Sequence, residues 1–317
     1  MSRYVIRRLL EAIPALLGVT VISFILVHII PGNPVRILLG NHYTRYRAKI
    51  LARNLGLNHP VYVQYLLWLW KALHGNFQYS YVYNRPVTSL ILQALPHTLL
   101  LVAIAIMLAH IFVVFLGTFQ AYYADTWFDQ VLTVINYFLY AMPVFWLGIL
   151  MIEAFAIHLS WFPTGGITNP NNPNPNFWSY AYHLVLPGVT LASTSIAAWT
   201  RYMRSSMRET LVQDYIRTAR SKGANEFRVL LVHALRNSVL PLITLFGLSL
   251  PLLFGGALLI EEIFNYPGMG LLFWNAANQL DMPVLLAIIV FLGAITILGN
   301  LVADLLYALV DPRISYD

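Results

Sequence analysis

The chain has 317 residues, of which 59% are hydrophobic and only 10% charged, and its mean hydropathy is +0.66. Soluble domains carry roughly 25% charged residues to cover a water-facing surface, so most of this chain meets a solvent other than water. It has no cysteine, which excludes disulfides, thiolate metal sites and cysteine nucleophiles.

The formal net charge of +6 would suit nucleic acid only if basic and aromatic residues shared a folded face. Instead the basic residues punctuate long apolar runs, and segments 86–200 and 237–312 contain no lysine or arginine at all. That is how a polytopic membrane protein is written, and no nucleic-acid partner is expected. A bilayer core of about 30 Å needs roughly 20 apolar residues in helix. Six stretches meet this length, so the predicted fold is all-α, a six-helix membrane bundle.

In chain order, Arg3, Arg7 and Arg8 precede the first span, about Leu9–Ile30. This run is too long for a signal-peptide core, and Pro31-Gly32-Asn33-Pro34 follows it in place of a cleavage site; it reads as retained. Residues 31–97 form a long loop, in which "HPVYVQYLLWLWKALHGN" (59–76) predicts an amphipathic helix at the interface, either a lid packed over the first span or a contact for an external partner. The second span covers about Thr98–Tyr122, with His110 as a hydrogen-bonded packing residue. The third covers about Val131–His158, bent at Pro143, with Glu153 making a helix-end contact. "PTGGITNPNNPNPN" (163–176) is a loop that no helix can absorb.

The fourth span, about Leu184–Tyr202, is diluted by Thr190, Ser193, Thr194, Ser195 and Thr200, and is expected inside the bundle. The fifth covers about Leu235–Ile260, with kinks at Pro241 and Pro251, and the sixth about Pro283–Leu309. Asp304 falls near the end of the last. The lysine and arginine bias places both termini in the cytoplasm, with 31–97 outside and 203–234 inside. Two observations run against that bias: seven basic residues fall in the outer loop 31–97, and the inner turn "ADTWFDQ" (124–130) has two aspartates and no positive charge.

Charge gathers in "DYIRTARSKGANEFRVLLVHALRNSVLP" (214–241). Asp214 is read as the N-cap of a short helix, where a carboxylate accepts backbone N–H bonds. Gly223 suits the left-handed position that closes it. Two readings fit these residues: a solvated loop whose arginines set topology or meet anionic lipid, and a projecting helix that docks into another protein.

"YIRTARSKG" followed by "HALRNSVLP" resembles the cytoplasmic coupling segment of ATP-binding-cassette importer permeases, in its peptide/nickel-uptake form. The likeness runs along the chain: "YVIRRLLEAIPALLGVT" (4–20) with "PGNP" (31–34), "LGLNHPVYVQYLLWL" (55–69), "RPVTSLI" (85–91), "LSLPLLFGGALLIEEIFNYPGMG" (248–270) and "DLLYALVDPR" (304–313). Asn33 departs from the aspartate usual there. The resemblance implies a type I importer permease fold. Residues 1–96 would carry the first helix and an extracytoplasmic loop, 97–308 a five-helix core with its coupling helix at about 214–223, and 309–317 a cytoplasmic tail.

It also implies partners: a second, similar permease, two ATPase subunits carrying ATP and magnesium, and an extracytoplasmic binding protein, together in a bacterial inner membrane. Asp214, Arg217, Thr218, Ala219, Lys222 and Gly223 would couple to the ATPase. No cofactor is expected in this chain, since none of Lys49, Lys71 and Lys222 follows a glycine as a phosphate-binding loop requires. An uncharged pathway is expected from Thr190, Ser193, Ser195, Thr244, Ser249, Thr296 and Asn300, which suits peptides, whose backbones are constant. Glutathione, nickel chelates and oligosaccharides stay open as substrates. A channel or secondary transporter would place more ionisable residues along its spans. A membrane metalloenzyme would need paired histidines, and the nine here are never closer than thirteen residues.

Overall fold

The computed structural model describes residues 2–29, 34–169, 174 and 176–310. In order, the helices are α1 (Ser2–Ile29), α2 (Pro34–Leu39), α3 (Arg45–Asn54), α4 (Val61–Leu73), α5 (Val87–Tyr122), α6 (Trp127–Ala141) and α7 (Val144–Met151). They continue with α8 (Phe177–Leu211), α9 (Asp214–Ser221), α10 (Glu226–Arg228), α11 (Leu235–Ser238), α12 (Leu240–Ile263), α13 (Met269–Asn278) and α14 (Met282–Val310). Wider π-helical turns follow α7 (Ile152–His158) and α10 (Val229–Ala234). Among the described residues no strand forms beyond one isolated bridge between Tyr79 and Pro86. The expected turn at Pro31–Asn33, the centre of the proline-asparagine loop and the tail after Val310 lie outside the described residues.

Four of these helices are long and apolar enough to cross a membrane, and five if α6 and α7 count as one bent span. The bend expected at Pro143 within the span Val131–His158 is a full break: α6 and α7 meet at 108°. Met142 is extended at φ −81°, ψ 127°. Proline has no N–H to continue a helix and drives the residue before it out of the α region, so the chain turns at Met142-Pro143. Pro241 does not kink its helix. It lies in the first turn of α12, where its missing N–H has no partner to lose. The fourth span fits its expectation of burial, with 56% of its most apolar window covered, against 22–39% for the other three. Thr190, Ser193 and Thr200 return their hydroxyls to carbonyls four residues back, at 2.7 Å, which satisfies each hydroxyl within the helix.

The chain divides into two compact units. The first takes residues 1–98 and 267–298. Its core joins Phe24 and Val27 of α1, Trp68 of α4, Val87 and Ile91 of α5, and Val284 and Ile288 of α14. The helix predicted over 59–76 is α4, and it packs on α1. Tyr65 and Thr20 share a hydrogen bond of 2.9 Å, and the Phe24 ring lies 5.4 Å from that of Tyr65.

A fully buried Asp281, just ahead of α14, gathers the turn after α4. Its carboxylate accepts from Ser80 Oγ, from the Tyr81 N–H at 3.0 Å and from the Val82 N–H at 3.3 Å. Burial, with the Asp281 charge adding to it, pushes the Tyr81 phenol up to about 12. Asp281→Ala would strand these donors, so about 3 kcal/mol of local stability should be lost. Limited proteolysis should then cut within 76–86; wild-type resistance there would refute the lock.

The second unit takes residues 99–266 and 299–317. Here α8 packs against α6, α7 and α12. Gly117 lets α5 meet α8 closely, because a Cβ there would stand 2.6 Å from Met203 Cβ and 3.2 Å from the Arg204 nitrogen. This contact seats the C-terminal turns of α8, from which the charged segment departs.

Candidate partner-coupling site

A helix of 35 residues is about 52 Å long, well beyond an apolar core of about 30 Å. The last turns of α8 therefore carry Arg201, Arg204 and Arg208 past the apolar stretch. The aspartates of the 124–130 turn are their counterions. Asp129 is buried and receives Arg204 through two bonds, Nε at 2.7 Å and Nη2 at 2.5 Å. Its second oxygen also accepts the Asp125 N–H at 2.9 Å. Asp125 takes Arg208 at 3.0 Å on the exposed side. The turn that ran against the charge bias is thus neutral with its neighbour.

Helix α9 follows at once. Ile216 is the one large aliphatic side chain of its sequence, and it is fully buried. Beneath it lies the π-helical turn with the buried Val229 and Ala234, on which α9 packs. Ser238 bonds to the Ala234 carbonyl at 2.9 Å. Around the rim, Arg220 forms a two-bond pair with Glu226, the shorter at 2.9 Å, and Asn237 donates to the Tyr215 hydroxyl at 2.8 Å.

The N-cap expectation is corrected. The capping position is Gln213, whose side chain makes no cap bond, and Asp214 is the first helical residue. Asp214 acts from the first turn instead, favourable to the positive end of the dipole, and faces Arg217 at 3.5 Å. The C-terminal expectation holds. Gly223 has φ +80°, its N–H donates to the Arg220 carbonyl at 2.9 Å, and the Ala224 N–H reaches the Ala219 carbonyl at 3.2 Å. This pair of bonds is the Schellman closure.

The structure places Asp214, Arg217, Thr218, Lys222 and Gly223 exposed around α9, with Ala219 half-buried. Thr218 Oγ1 is turned back to the Asp214 carbonyl at 3.0 Å. Val212 and Phe227, flanking α9, stay 65% and 68% exposed, an unusual display for large apolar side chains beside so many charges. Of the expected pathway residues, Thr190 and Ser195 are buried and Ser193 half-buried on α8; Thr296 is half-buried and Asn300 exposed on α14. The side chains of Thr244, Ser249 and Asp304 lie outside the described residues. Sequence reading passed over Ile216, although one large apolar residue in "DYIRTARS" marks the inward face. It also passed over Asp129, Glu226 and Asn237, whose partners lie outside the helix that each belongs to.

The profile of a family described as "Binding-protein-dependent transport system inner membrane component" matches residues 113–316. A companion profile for the N-terminal part of such membrane components matches residues 1–102. The chain belongs to this family. The oligopeptide transport system permease protein AppB of Bacillus subtilis is 42% identical over 317 residues, 100% of both chains. The dipeptide transport system permease protein DppB of Alkalihalophilus pseudofirmus is 37% identical over 333 aligned positions, again covering 100% of both. This family member is a multi-pass permease component of a transport complex, and the resemblance read from its motifs is borne out.

Proposed function

We propose that this chain is the permease subunit of an ATP-driven importer for dipeptides or oligopeptides, and that α9 is the contact through which ATPase subunits move it. The observation that carries this reading is the construction of α9. It is short, closed at its C-terminal end by Gly223, held from below by Ile216, and left exposed on its charged side in a chain of this family. A topology-setting loop would need only its arginines, not a seated helix. The partners on this reading are a second similar permease, two ATPase subunits that bind ATP and magnesium, and an extracytoplasmic binding protein.

Six crossings with cytoplasmic termini complete the proposal. The turn at Asp125–Asp129 is bonded to Arg204, whereas Trp161, after α7, accepts from the Tyr182 hydroxyl at 2.6 Å. Residues 182 and 204 of α8 stand about 33 Å apart at ~1.5 Å per residue, so the bent pair traverses a bilayer's thickness in spite of its bend. Beside α8, α12 starts next to Ser238, which touches Met207, and ends where Phe264 accepts the Gly166 N–H at 2.8 Å. Each contact pairs two segments that six crossings put on the same side.

The importer, reconstituted with its ATPases and binding protein, should take up labelled oligopeptides only with ATP. The ligand that the binding protein retains on purification would name the substrate. Uptake of a nickel chelate or an oligosaccharide and of no peptide would overturn the substrate reading while leaving the coupling role standing.

A further inference from the structure

Two recesses of the first unit lie side by side and differ in chemistry. One is a cavity of about 530 Å³ lined by Arg53, Lys71, His28 and His59 among others, with no aspartate or glutamate among the described residues of its wall. Trp68 also lines it; the residue is 4% exposed, and its indole N–H has no acceptor. A buried donor left unpaired costs about 1–3 kcal/mol, so the wall is short of an oxygen acceptor and rich in positive charge. The other recess, of about 430 Å³, is lined entirely by apolar residues, including Leu26 and Ile29 of α1 and Phe273 of α13. Val27 belongs to both linings, and Leu285 and Leu286, adjacent on α14, contribute one to each.

We propose that the two recesses together hold one anionic phospholipid, its phosphate among Arg53, Lys71 and Trp68 and an acyl chain along the apolar groove. Charge complementarity selects an anion. The groove, walled by the end of an apolar helix long enough to span, requires that the anion carry a hydrocarbon tail. A free carboxylate or phosphate would leave the groove unfilled, and a zwitterionic lipid would bring a quaternary ammonium of its own to a wall already carrying Arg53 and Lys71. Placement in the outer leaflet rests on the six-crossing reading. Occupancy does not, and it is measured without transport.

The test is native mass spectrometry of the purified full chain offered equal amounts of dioleoylphosphatidylglycerol and dioleoylphosphatidylcholine. Basic residues at a membrane surface attract anionic lipid individually, so the glycerol lipid should be retained roughly tenfold or more over the choline lipid. Arg53→Gln combined with Lys71→Gln should bring that ratio to about one. Both side chains are exposed, so the thermal midpoint should hold and show that the variant is folded. Trp68→Phe, which removes only the N–H from an aromatic wall, should lower the retention of both lipids, which share the phosphate, and leave their ratio standing. Equal retention of the two lipids, or a preference that survives the double substitution, would overturn the proposal. Displacement of the retained lipid by millimolar inorganic phosphate would also overturn it, because it would mark an anion site that makes no use of the groove.

Discussion

Gly223→Pro is expected to abolish ATP-driven transport while leaving the protein inserted in the membrane. Gly223 holds φ +80°, and proline is fixed near −65°. The substitution also removes the N–H that closes α9 on the Arg220 carbonyl at 2.9 Å. Both losses fall on one turn, on the order of 3 kcal/mol or more, enough to unwind a helix of eight residues. No span contains this residue, so insertion and assembly of the bundle should survive. Gly223→Ala separates the causes. A Cβ there meets nothing within 4 Å, so the cost is backbone strain alone, about 1–2 kcal/mol, and transport should fall only in part. Ala219→Trp probes the same contact from the surface, since it keeps the backbone and enlarges a half-buried position of α9. ATPase activity and uptake measured on the same reconstituted complex decide the matter. Hydrolysis without uptake is the expected result for Gly223→Pro and Ala219→Trp, and normal uptake by both would remove α9 from the coupling path.

Features that depend on neighbours in sequence were legible before the structure. Apolar length located four long helices and the bent pair α6–α7, and the glycine after "RTARSK" located the end of α9. Pro143 announced a break, although not its 108° angle, because proline forbids one helical bond and the packing of α8 chooses the new direction. The π-helical turn at Val229–Ala234 left no mark, since an apolar stripe reads alike whether a turn takes one residue more or fewer. The charge partnerships were hidden for another reason. Asp129 and Arg204 lie 75 residues apart, and Asp281 and Ser80 lie 201 apart. Such pairs exist only after helices have packed, and each aspartate alone looks like an ordinary turn residue. The acidic 124–130 turn, counted by itself, even argued against the topology that its arginines support.

Asp129→Ala should destabilise the α9 end of the second unit far more than loss of its neighbouring aspartate. The Asp129 side chain is 3% exposed and that of Arg204 27%, whereas Arg208 and Asp125 stand at 42% and 75%. Removing one partner of a desolvated, two-bond pair leaves the other charge without compensation, typically 3–5 kcal/mol. The Asp125 N–H loses its acceptor in the same step. An exposed pair, screened by water, contributes about 0–1 kcal/mol, so Asp125→Ala should melt close to wild type. If charge compensation is the cause, Asp129→Leu with Arg204→Met should recover most of the loss, because apolar residues of similar volume often replace a buried pair without penalty. Thermal melts of the purified protein in one detergent would rank the three variants. Equal melting of Asp129→Ala and Asp125→Ala would mean that the pair does not hold this end together. The functional consequence follows from position. Arg204 is three residues before Met207, which touches Ser238, and ten before α9 begins, so loosening it frees the base on which Ile216 seats α9. Asp129→Ala should therefore lower uptake more steeply than ATP hydrolysis, and the Leu/Met pair should restore both.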